Sequence, residues 1–133
     1  MKGYLLDTDI VVFFFRGQKG IPERLATIRP DKIYISEITI AELEYGNHAS
    51  GRYEENKSLL DAFIASANIV PFSKAIPLYA KERYRLRKAG QSIEDFDLLI
   101  GCSSIAGNLV MVTNNAKHYS RIEGICIENW TKQ

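Results

Sequence analysis

Short apolar segments alternate with longer segments of helical periodicity along this chain of 133 residues. The composition of the apolar segments predicts five strands, at Tyr4-Leu5-Leu6, Lys32 to Ser36, Ile69 to Phe72, Leu109 to Thr113 and Gly124 to Glu128. Helices are predicted between them, at Ile10 to Phe15, from Ile21 onwards, and at Glu37 to about Ala49, Glu54 to Ala67, Ser73 to Gly90 and Ser92 to Gly107. This alternation predicts an α/β fold with a parallel sheet, formed by one domain over residues 1–133.

One uncharged stretch, Leu98 to Ala116, is long enough to resemble a membrane span. It contains several Ser and Asn residues and is interrupted by Gly107-Asn108, so a buried helix followed by a buried strand explains it better. The two cysteines, Cys102 and Cys126, lie between apolar residues without metal-ligand spacing, and we expect both to be buried thiols of a reducing compartment. No signal-peptide pattern opens the sequence, so a cytoplasmic protein is expected.

The formal net charge of +1 argues against a wholly basic nucleic-acid coat protein and against an acidic disordered tail. The charge is unevenly distributed, because residues 74–90 hold six basic residues and one acid. Lys81, Arg85 and Lys88 are spaced to share one helix face, where they would contact RNA phosphates or form an ordinary solvated face. Tyr79 and Tyr84 are candidates for base stacking, although the spacing of Tyr79 also suits a core position.

Acidic residues occupy positions where an apolar residue or a cap would be expected. Asp7 ends the first strand, and Asp9 follows two residues later, where it would cap the next helix. In parallel α/β sheets the ligand site lies beyond the carboxyl ends of the strands, which is where Asp7 falls. Glu42 lies on the apolar face of its predicted helix, unless Thr39 and Glu42 form a capping box, and the sequence does not decide between these alternatives.

Asp97 lies between Phe96 and Leu98 at the head of the uncharged helix, where an ionised carboxylate is costly unless something pairs with it. Asp95 is more easily explained, because Ser92 to Asp95 resembles a capping box. Carboxylates that converge in one crevice repel one another, and Mg²⁺ or Mn²⁺, which prefer oxygen ligands, would relieve that repulsion. Such an ion activates water and stabilises the leaving oxygen of a phosphodiester.

Four ordered motifs resemble those of the PIN-domain family, and within it the VapC toxins of toxin–antitoxin pairs. They are Leu5-Leu6-Asp7-Thr8-Asp9, Ile40-Ala41-Glu42-Leu43-Glu44-Tyr45-Gly46, Ile93-Glu94-Asp95-Phe96-Asp97-Leu98-Leu99-Ile100 and Val112-Thr113-Asn114-Asn115. The resemblance implies a three-layer α/β/α fold with a five-stranded parallel sheet. It also implies a Mg²⁺- or Mn²⁺-dependent endoribonuclease that inhibits translation, a VapB-type antitoxin that covers the active site, and a homodimer.

Residue by residue, the resemblance assigns Asp7, Glu42 and Asp97 to the family's first three acidic positions, as metal ligands. Thr113 and Asn115 match polar positions after the fourth strand that bind the ligands or the attacking water. The family usually has a fourth acid in a T-x-N-x-x-[DE]-F segment, where this chain has His118 followed by Tyr119. We therefore expect one metal to be bound more firmly than a second, and His118 to be a surface or supporting residue.

Two other functions are compatible with parts of the sequence. Asp7-Thr8-Asp9-Ile10-Val11 satisfies the D-x-D-x-[VT] pattern of haloacid-dehalogenase-type phosphatases, in which Asp7 would be the nucleophile and Asp9 the general acid. That family needs further acids after a later strand, and Thr113-Asn114-Asn115 provides none. The third alternative is a PIN scaffold that has lost activity together with the fourth acid and only binds RNA or protein.

Overall fold

The computed structural model describes residues 2–131. Five strands form one parallel sheet and are β1 (Tyr4–Leu6), β2 (Ile33–Ser36), β3 (Asn68–Val70), β4 (Val110–Val112) and β5 (Ile127–Glu128). Seven α-helices accompany them within the described residues, namely α1 (Thr8–Phe15), α2 (Ile21–Leu25), α3 (Glu37–Ala49), α4 (Tyr53–Ser66), α5 (Ile76–Lys88), α6 (Asp95–Ala106) and α7 (Ala116–Tyr119). The predicted α/β class and the five-stranded parallel sheet are confirmed.

The strand order β3-β2-β1-β4-β5 places β1 at the centre of the sheet. The chain moves outward from β1 to β3 and then returns to the other side of β1 as β4, so the order of strands reverses between β1 and β4. Tyr4 pairs with Ile33 on one side and with Val110 on the other. A reversal of this kind opens a crevice at the carboxyl ends of the two strands, and ligands of open α/β sheets bind there.

Successive residues of β1 supply the two hydrophobic cores on opposite faces of the sheet. Leu5 packs in a cluster with Leu86 of α5 and Ile100 of α6. Leu6 belongs to the other cluster, which contains residues of α1, α2 and α4. Because side chains alternate across a strand, helices on both faces are needed to cover these buried strands, which gives the three-layer α/β/α arrangement.

Several predicted boundaries differ from the observed ones. The last long helix begins at Asp95, not Ser92, because Ile93 packs into the core and keeps the preceding segment extended. The third strand ends before Pro71, and the fifth begins only at Ile127, after a turn at Gly124 with a φ of 82°. The uncharged stretch is mainly the buried helix α6 and strand β4, as predicted. No helix within residues 2–131 is long and apolar enough to cross a membrane.

Candidate active site

Asp7 occupies the crevice directly after β1 and is buried. The hydroxyl of Thr113, which follows β4, donates to Asp7 Oδ2 at 2.8 Å, and the hydroxyl of Tyr119 donates to Oδ1 at 3.0 Å. The backbone N–H of Thr8 donates to the same Oδ1 at 2.9 Å, so Asp7, not Asp9, is the N-cap of α1. Donors from both ends of the chain therefore fix the orientation of this carboxylate.

Glu42 reaches the crevice from α3 and is held by α1. The hydroxyl of Thr8 donates to Glu42 Oε1 at 2.7 Å and lies 3.0 Å from the hydroxyl of Thr39. The N-cap of α3 is Ser36, whose hydroxyl accepts from the N–H of Ile38. The capping-box alternative for Glu42 is therefore wrong, and this side chain points to the crevice instead of closing the helix.

Asp97 lies in the first turn of α6, where it is half-buried. The N-cap of this helix is Glu94, whose carboxylate accepts from the N–H of Asp97 at 3.3 Å, so the capping box predicted around Ser92 is not formed. His118 of α7 places Nε2 3.4 Å from Oδ2 of Asp97. The side chain at the position of the family's fourth acid therefore contacts a carboxylate instead of adding one.

Burial and mutual repulsion act together on these acids. Burial raises the pKa of Asp97, and the charges of Asp7 and Glu94 add to the effect, while His118 opposes it. Burial also raises the pKa of Glu42, against the hydrogen bond from Thr8, and Asp97 and Asp7 raise it further. Asp7, Glu42 and Asp97 therefore lie close enough for their charges to affect one another.

Asp9 carries an unsatisfied oxygen. Its Oδ1 atom is buried and has no hydrogen-bond partner among the residues that the structure describes. Burial, reinforced by the neighbouring charge of Asp7, raises the pKa of Asp9 to about 7. A buried carboxylate oxygen without a donor is costly in an apoprotein, and a cation in the crevice would reduce that cost.

The donor set fits Mg²⁺ or Mn²⁺ in its chemistry, because the crevice offers carboxylate oxygens and no thiolate. A divalent cation would offset the cost of leaving the Asp9 oxygen without a partner. It would also stabilise the ionised forms of Glu42 and Asp97, whose pKa values are raised. Within residues 2–131, no three Asp, Glu, His or Cys side chains are already arranged closely enough to hold an ion. The carboxylates would therefore have to draw together around it.

The other predicted polar residues differ in how they relate to the crevice. Asn115 contributes its backbone, whose N–H donates to Thr113 Oγ1 at 2.9 Å, while the residue itself is exposed. Asp95 points away from the crevice, since it accepts from the hydroxyl of Tyr79 at 3.0 Å and pairs with Arg83 at 3.4 Å. The contacts of Tyr79 therefore tie α5 to α6.

Cys126 is exposed, which contradicts the expectation that both cysteines are buried.

The three basic residues predicted to contact RNA have different surroundings on α5. Arg85 donates twice to the carboxylate of Glu82, at 2.9 and 2.7 Å, and once to the carbonyl oxygen of Arg121 at 2.9 Å. Lys81 and Lys88 are exposed, and the ammonium group of Lys88 lies 5.2 Å from the centroid of the Tyr84 ring. The guanidinium of Arg85 is therefore engaged by its own fold, whereas Lys81 is exposed and Lys88 is exposed beside the Tyr84 ring.

Two supporting hydroxyls were missed in the sequence, those of Thr8 and Tyr119. Thr8 lies between two acids, and its bond to Glu42 joins positions 34 residues apart. Tyr119 is 1% exposed, and its bond to Asp7 spans 112 residues. The signal for Tyr119 was available, because a tyrosine stands where the family pattern has phenylalanine, but its partner depends on the tertiary structure.

Comparison with known proteins gives a consistent result. The family model of the PIN domain matches residues 4–124. The chain is 39% identical to "Ribonuclease VapC2" of Rickettsia felis over 134 aligned positions, which cover 97% of this chain and 98% of that protein. It is 33% identical to "Ribonuclease VapC1" of Haemophilus influenzae strain R2866, over 97% of this chain and 98% of that protein.

Solved structures show the same similarity in three dimensions. The fold matches VapBC2 from Rickettsia felis, bound to a DNA fragment from its promoter, with a TM-score of 0.87 and 36% identity over 96% of this chain and 98% of that one. It also matches DNA-bound VapBC from Salmonella typhimurium, with a TM-score of 0.90 and 30% identity over 98% and 99% of the two chains.

Proposed function

The chain belongs to the PIN-domain family, in its VapC group, and on this premise we propose that it is a divalent-metal-dependent endoribonuclease. The observation that supports this proposal is that Asp7, at the point where the strand order reverses, is linked to the other two acids through neighbouring residues. Thr8, next to Asp7, donates to Glu42, while Tyr119 donates to Asp7 and its neighbour His118 contacts Asp97. The family assignment leaves the phosphatase alternative without support. The segment after β4 also disfavours it, because the further acids that this phosphatase pattern needs are absent from Thr113-Asn114-Asn115.

We propose that Asp7, Glu42 and Asp97 hold Mg²⁺ or Mn²⁺. A bound ion of this kind lowers the pKa of a coordinated water and stabilises the oxygen that leaves the phosphodiester. The hydroxyls of Thr113 and Tyr119 orient Asp7, and the N–H of Asn115 fixes the hydroxyl of Thr113. Ligands held in this way keep one geometry, as supporting hydrogen bonds do in other metal sites.

The contact between His118 and Asp97 bears on the number of ions. An imidazole 3.4 Å from Asp97 Oδ2 takes the place where the family's fourth acid would add negative charge. We therefore expect one ion to be bound firmly and a second only weakly. Calorimetric titration with Mn²⁺ would measure this directly, and His118→Glu should strengthen the second binding event. Two tight ions in the unmodified chain would contradict the expectation.

The test of the proposed activity is cleavage of total RNA with Mg²⁺ or Mn²⁺, comparing the unmodified protein with Asp97→Asn. We expect cleavage by the former, none with a chelator, and a loss of at least about 100-fold in the variant. Asp95→Asn is the matched control, because Asp95 lies two positions away but is exposed and bound to Tyr79. Equal activity of the protein and Asp97→Asn, or none in either, would refute the proposal and favour a binding scaffold.

We also propose that this nuclease is a toxin whose partner is a VapB-type antitoxin. We expect it to form a homodimer and to inhibit translation by cutting RNA in the cytoplasm. Support for the partner comes from the similar solved structures, which are described as VapBC complexes. Lys81 and Lys88 remain candidates for contacts with RNA phosphates, whereas Arg85 serves mainly to hold Glu82. Co-expression with the adjacent gene should restore growth that expression of this chain alone arrests.

A further inference from the structure

A cavity of about 420 Å³ lies between α5 and the start of α6, and the proposed metal ligands are not among the residues that line it. Its apolar floor is formed by Leu86, Ile93 and Leu98, which are buried and belong to one hydrophobic core cluster. The cavity is therefore preformed by the fold. Sites for small molecules typically enclose about 300–1,000 Å³, so this cavity has room for a ligand of that size.

Glu94 joins this cavity to the acidic crevice. The residue lines the cavity, and its carboxylate accepts from the N–H of Asp97 at 3.3 Å. Burial raises the pKa of Asp97 and that of Glu42, and the charge of Glu94 adds to both effects. One wall of the cavity is therefore the helix end that carries a proposed metal ligand, and a chain that occupies the crevice can continue into the cavity.

Arg83 and Arg87 bring two guanidinium groups to the cavity from α5. They are four residues apart and therefore lie on one helix face. Arg83 is engaged, because it pairs with Asp95 at 3.4 Å and donates to the hydroxyl of Tyr79 at 3.2 Å. Arg87 is exposed, and its guanidinium has neither an ion-pair partner nor a hydrogen-bond partner among residues 2–131. The cavity therefore has one guanidinium that is free to bind a ligand.

The arrangement of charge favours a ligand whose negative groups are repeated along its length. Arg83 and Asp95 neutralise each other in the cavity wall, so Arg87 is left to bind an anion. A cation held by Asp97 would attract one negative group, and Arg87 offers a second positive group from α5. Guanidinium groups bind phosphates through two parallel charge-assisted hydrogen bonds. A polynucleotide backbone, with a phosphate at every nucleotide, matches this arrangement.

We propose, resting on the ribonuclease function proposed above, that the cavity between α5 and α6 holds the RNA backbone beside the cleaved phosphate and that Arg87 binds a neighbouring phosphate there. Arg87 is then a substrate-binding residue, and it takes the role that spacing in the sequence suggested for Arg85, whose guanidinium is bound to Glu82. A phosphate contact fixes the register of the strand but does not read its sequence. Arg87 therefore positions the substrate without selecting its bases.

The test is equilibrium binding of fluorescein-labelled oligoadenylate at several salt concentrations, in an Asp97→Asn background with Mg²⁺ present, so that the RNA is not cut. Oligoadenylate is a suitable probe because phosphate contacts do not depend on sequence. Arg87→Gln should weaken binding by roughly 3- to 10-fold at low salt. The slope of log Kd against log salt should also flatten by about 0.7, the change for one phosphate contact to a single strand. Arg87→Lys keeps the charge and should preserve the slope while losing some affinity.

Lys2→Gln is the matched control, because it removes one exposed charge ahead of β1, at the opposite edge of the sheet from the crevice. It should bind oligoadenylate with the affinity and slope of the parent. Cleavage of total RNA gives a second measurement in the otherwise unmodified protein. Arg87→Gln should raise the RNA concentration at the half-maximal rate and leave the maximal rate within about twofold, because a contact made equally before and during the reaction contributes only to binding. Its Tm should stay within about 2 °C of the parent, since Arg87 is exposed.

Parent-like affinity and slope in Arg87→Gln would overturn the proposal, and so would an equal change in Lys2→Gln. If Arg87→Gln kept its RNA affinity but lost affinity for a co-expressed VapB-type antitoxin, the cavity would belong to the protein partner instead. Metal-dependent cleavage by the unmodified chain, together with parent-like binding by Arg87→Gln, refutes the role of the cavity alone. Absence of cleavage together with a flattened slope in Arg87→Gln refutes the nuclease and supports the RNA contact.

Discussion

Removal of the Arg85 side chain should destabilise the fold, because it leaves the buried carboxylate of Glu82 short of donors. Glu82 is 2% exposed and accepts two hydrogen bonds from Arg85, at 2.9 and 2.7 Å, and a third from the N–H of Glu123 at 3.1 Å. Arg85→Ala would leave only the last of these. The variant therefore separates a structural role of Arg85 from the RNA contact that its position in the sequence suggested.

The magnitude follows from the number and exposure of the lost bonds. Breaking a fully buried ion pair costs about 3–5 kcal/mol, and one hydrogen bond to a charged group about 1.5–3 kcal/mol. The side chain of Arg85 is 38% exposed, so water can replace part of what it provides, and we expect a loss of about 2–3 kcal/mol. With an unfolding entropy of about 0.28 kcal/mol/K for 133 residues, Tm should fall by roughly 7–11 °C.

The assay is thermal unfolding followed by circular dichroism at neutral pH. Lys81→Ala and Lys88→Ala are the matched controls, because both side chains are exposed on the same helix, and each should change stability by less than about 0.5 kcal/mol. The Tm of Arg85→Lys should lie between those of the unmodified protein and Arg85→Ala, since lysine keeps the charge but cannot donate two parallel hydrogen bonds to Glu82. A Tm for Arg85→Ala within about 2 °C of the controls would refute the reasoning.

The same pair predicts a pH dependence. Hydrogen bonds from Arg85 hold the pKa of Glu82 below its ordinary value of 4.5. A carboxyl whose pKa is lowered by folding stabilises the protein above its unfolded pKa, and this contribution is lost as the pH falls through the folded pKa. The difference in Tm between the protein and Arg85→Ala should therefore shrink below about pH 4. A difference that grows on acidification would contradict this assignment.

Three further substitutions test the site and its support. Tyr119→Phe keeps the ring but removes the donor to Asp7, so RNA cleavage and Mn²⁺ affinity should fall by about 10- to 100-fold without unfolding; unchanged values would exclude a supporting role. Gly101→Ala would place a Cβ against Ile122 Cδ1 and 3.2 Å from the Tyr119 ring, and should cost about 1–3 kcal/mol in urea unfolding; unchanged stability would refute this crowding. Ser36→Ala removes the N-cap of α3 and should cost about 1 kcal/mol, whereas Ser36→Thr, which keeps the hydroxyl, should lose less.

The order and type of the strands and long helices could be predicted because they depend on local composition. Helix α3 was predicted with its observed ends, and the central strand was identified from three apolar residues followed by Asp7. Boundaries were less accurate where tertiary packing decides them. Ile93 is the clearest case, because its burial in the core delays the start of α6 to Asp95.

For the candidate site, acids in unusual positions could be identified, but their partners could not. Glu42 remained ambiguous because its position on the apolar helix face and a capping box with Thr39 were both compatible with the sequence, and only the folded helix shows that Ser36 is the N-cap. The pairing of Tyr119 with Asp7 joins opposite ends of the chain, which no local pattern specifies. Arg85 was assigned to a basic face from its spacing, and the bond to Glu82 three residues before it was overlooked.

The hydrogen bonds of Asp7 have a consequence for the nascent polypeptide. Asp7 is synthesised early, but its two side-chain donors are 106 and 112 residues further along the chain. Because domains generally fold as units and long-range pairings form late, a ribosome-bound fragment that ends before these donors cannot assemble the crevice. A fragment released before Thr113 therefore lacks both side chains that orient Asp7, and this carboxylate reaches its final geometry only when synthesis is nearly complete.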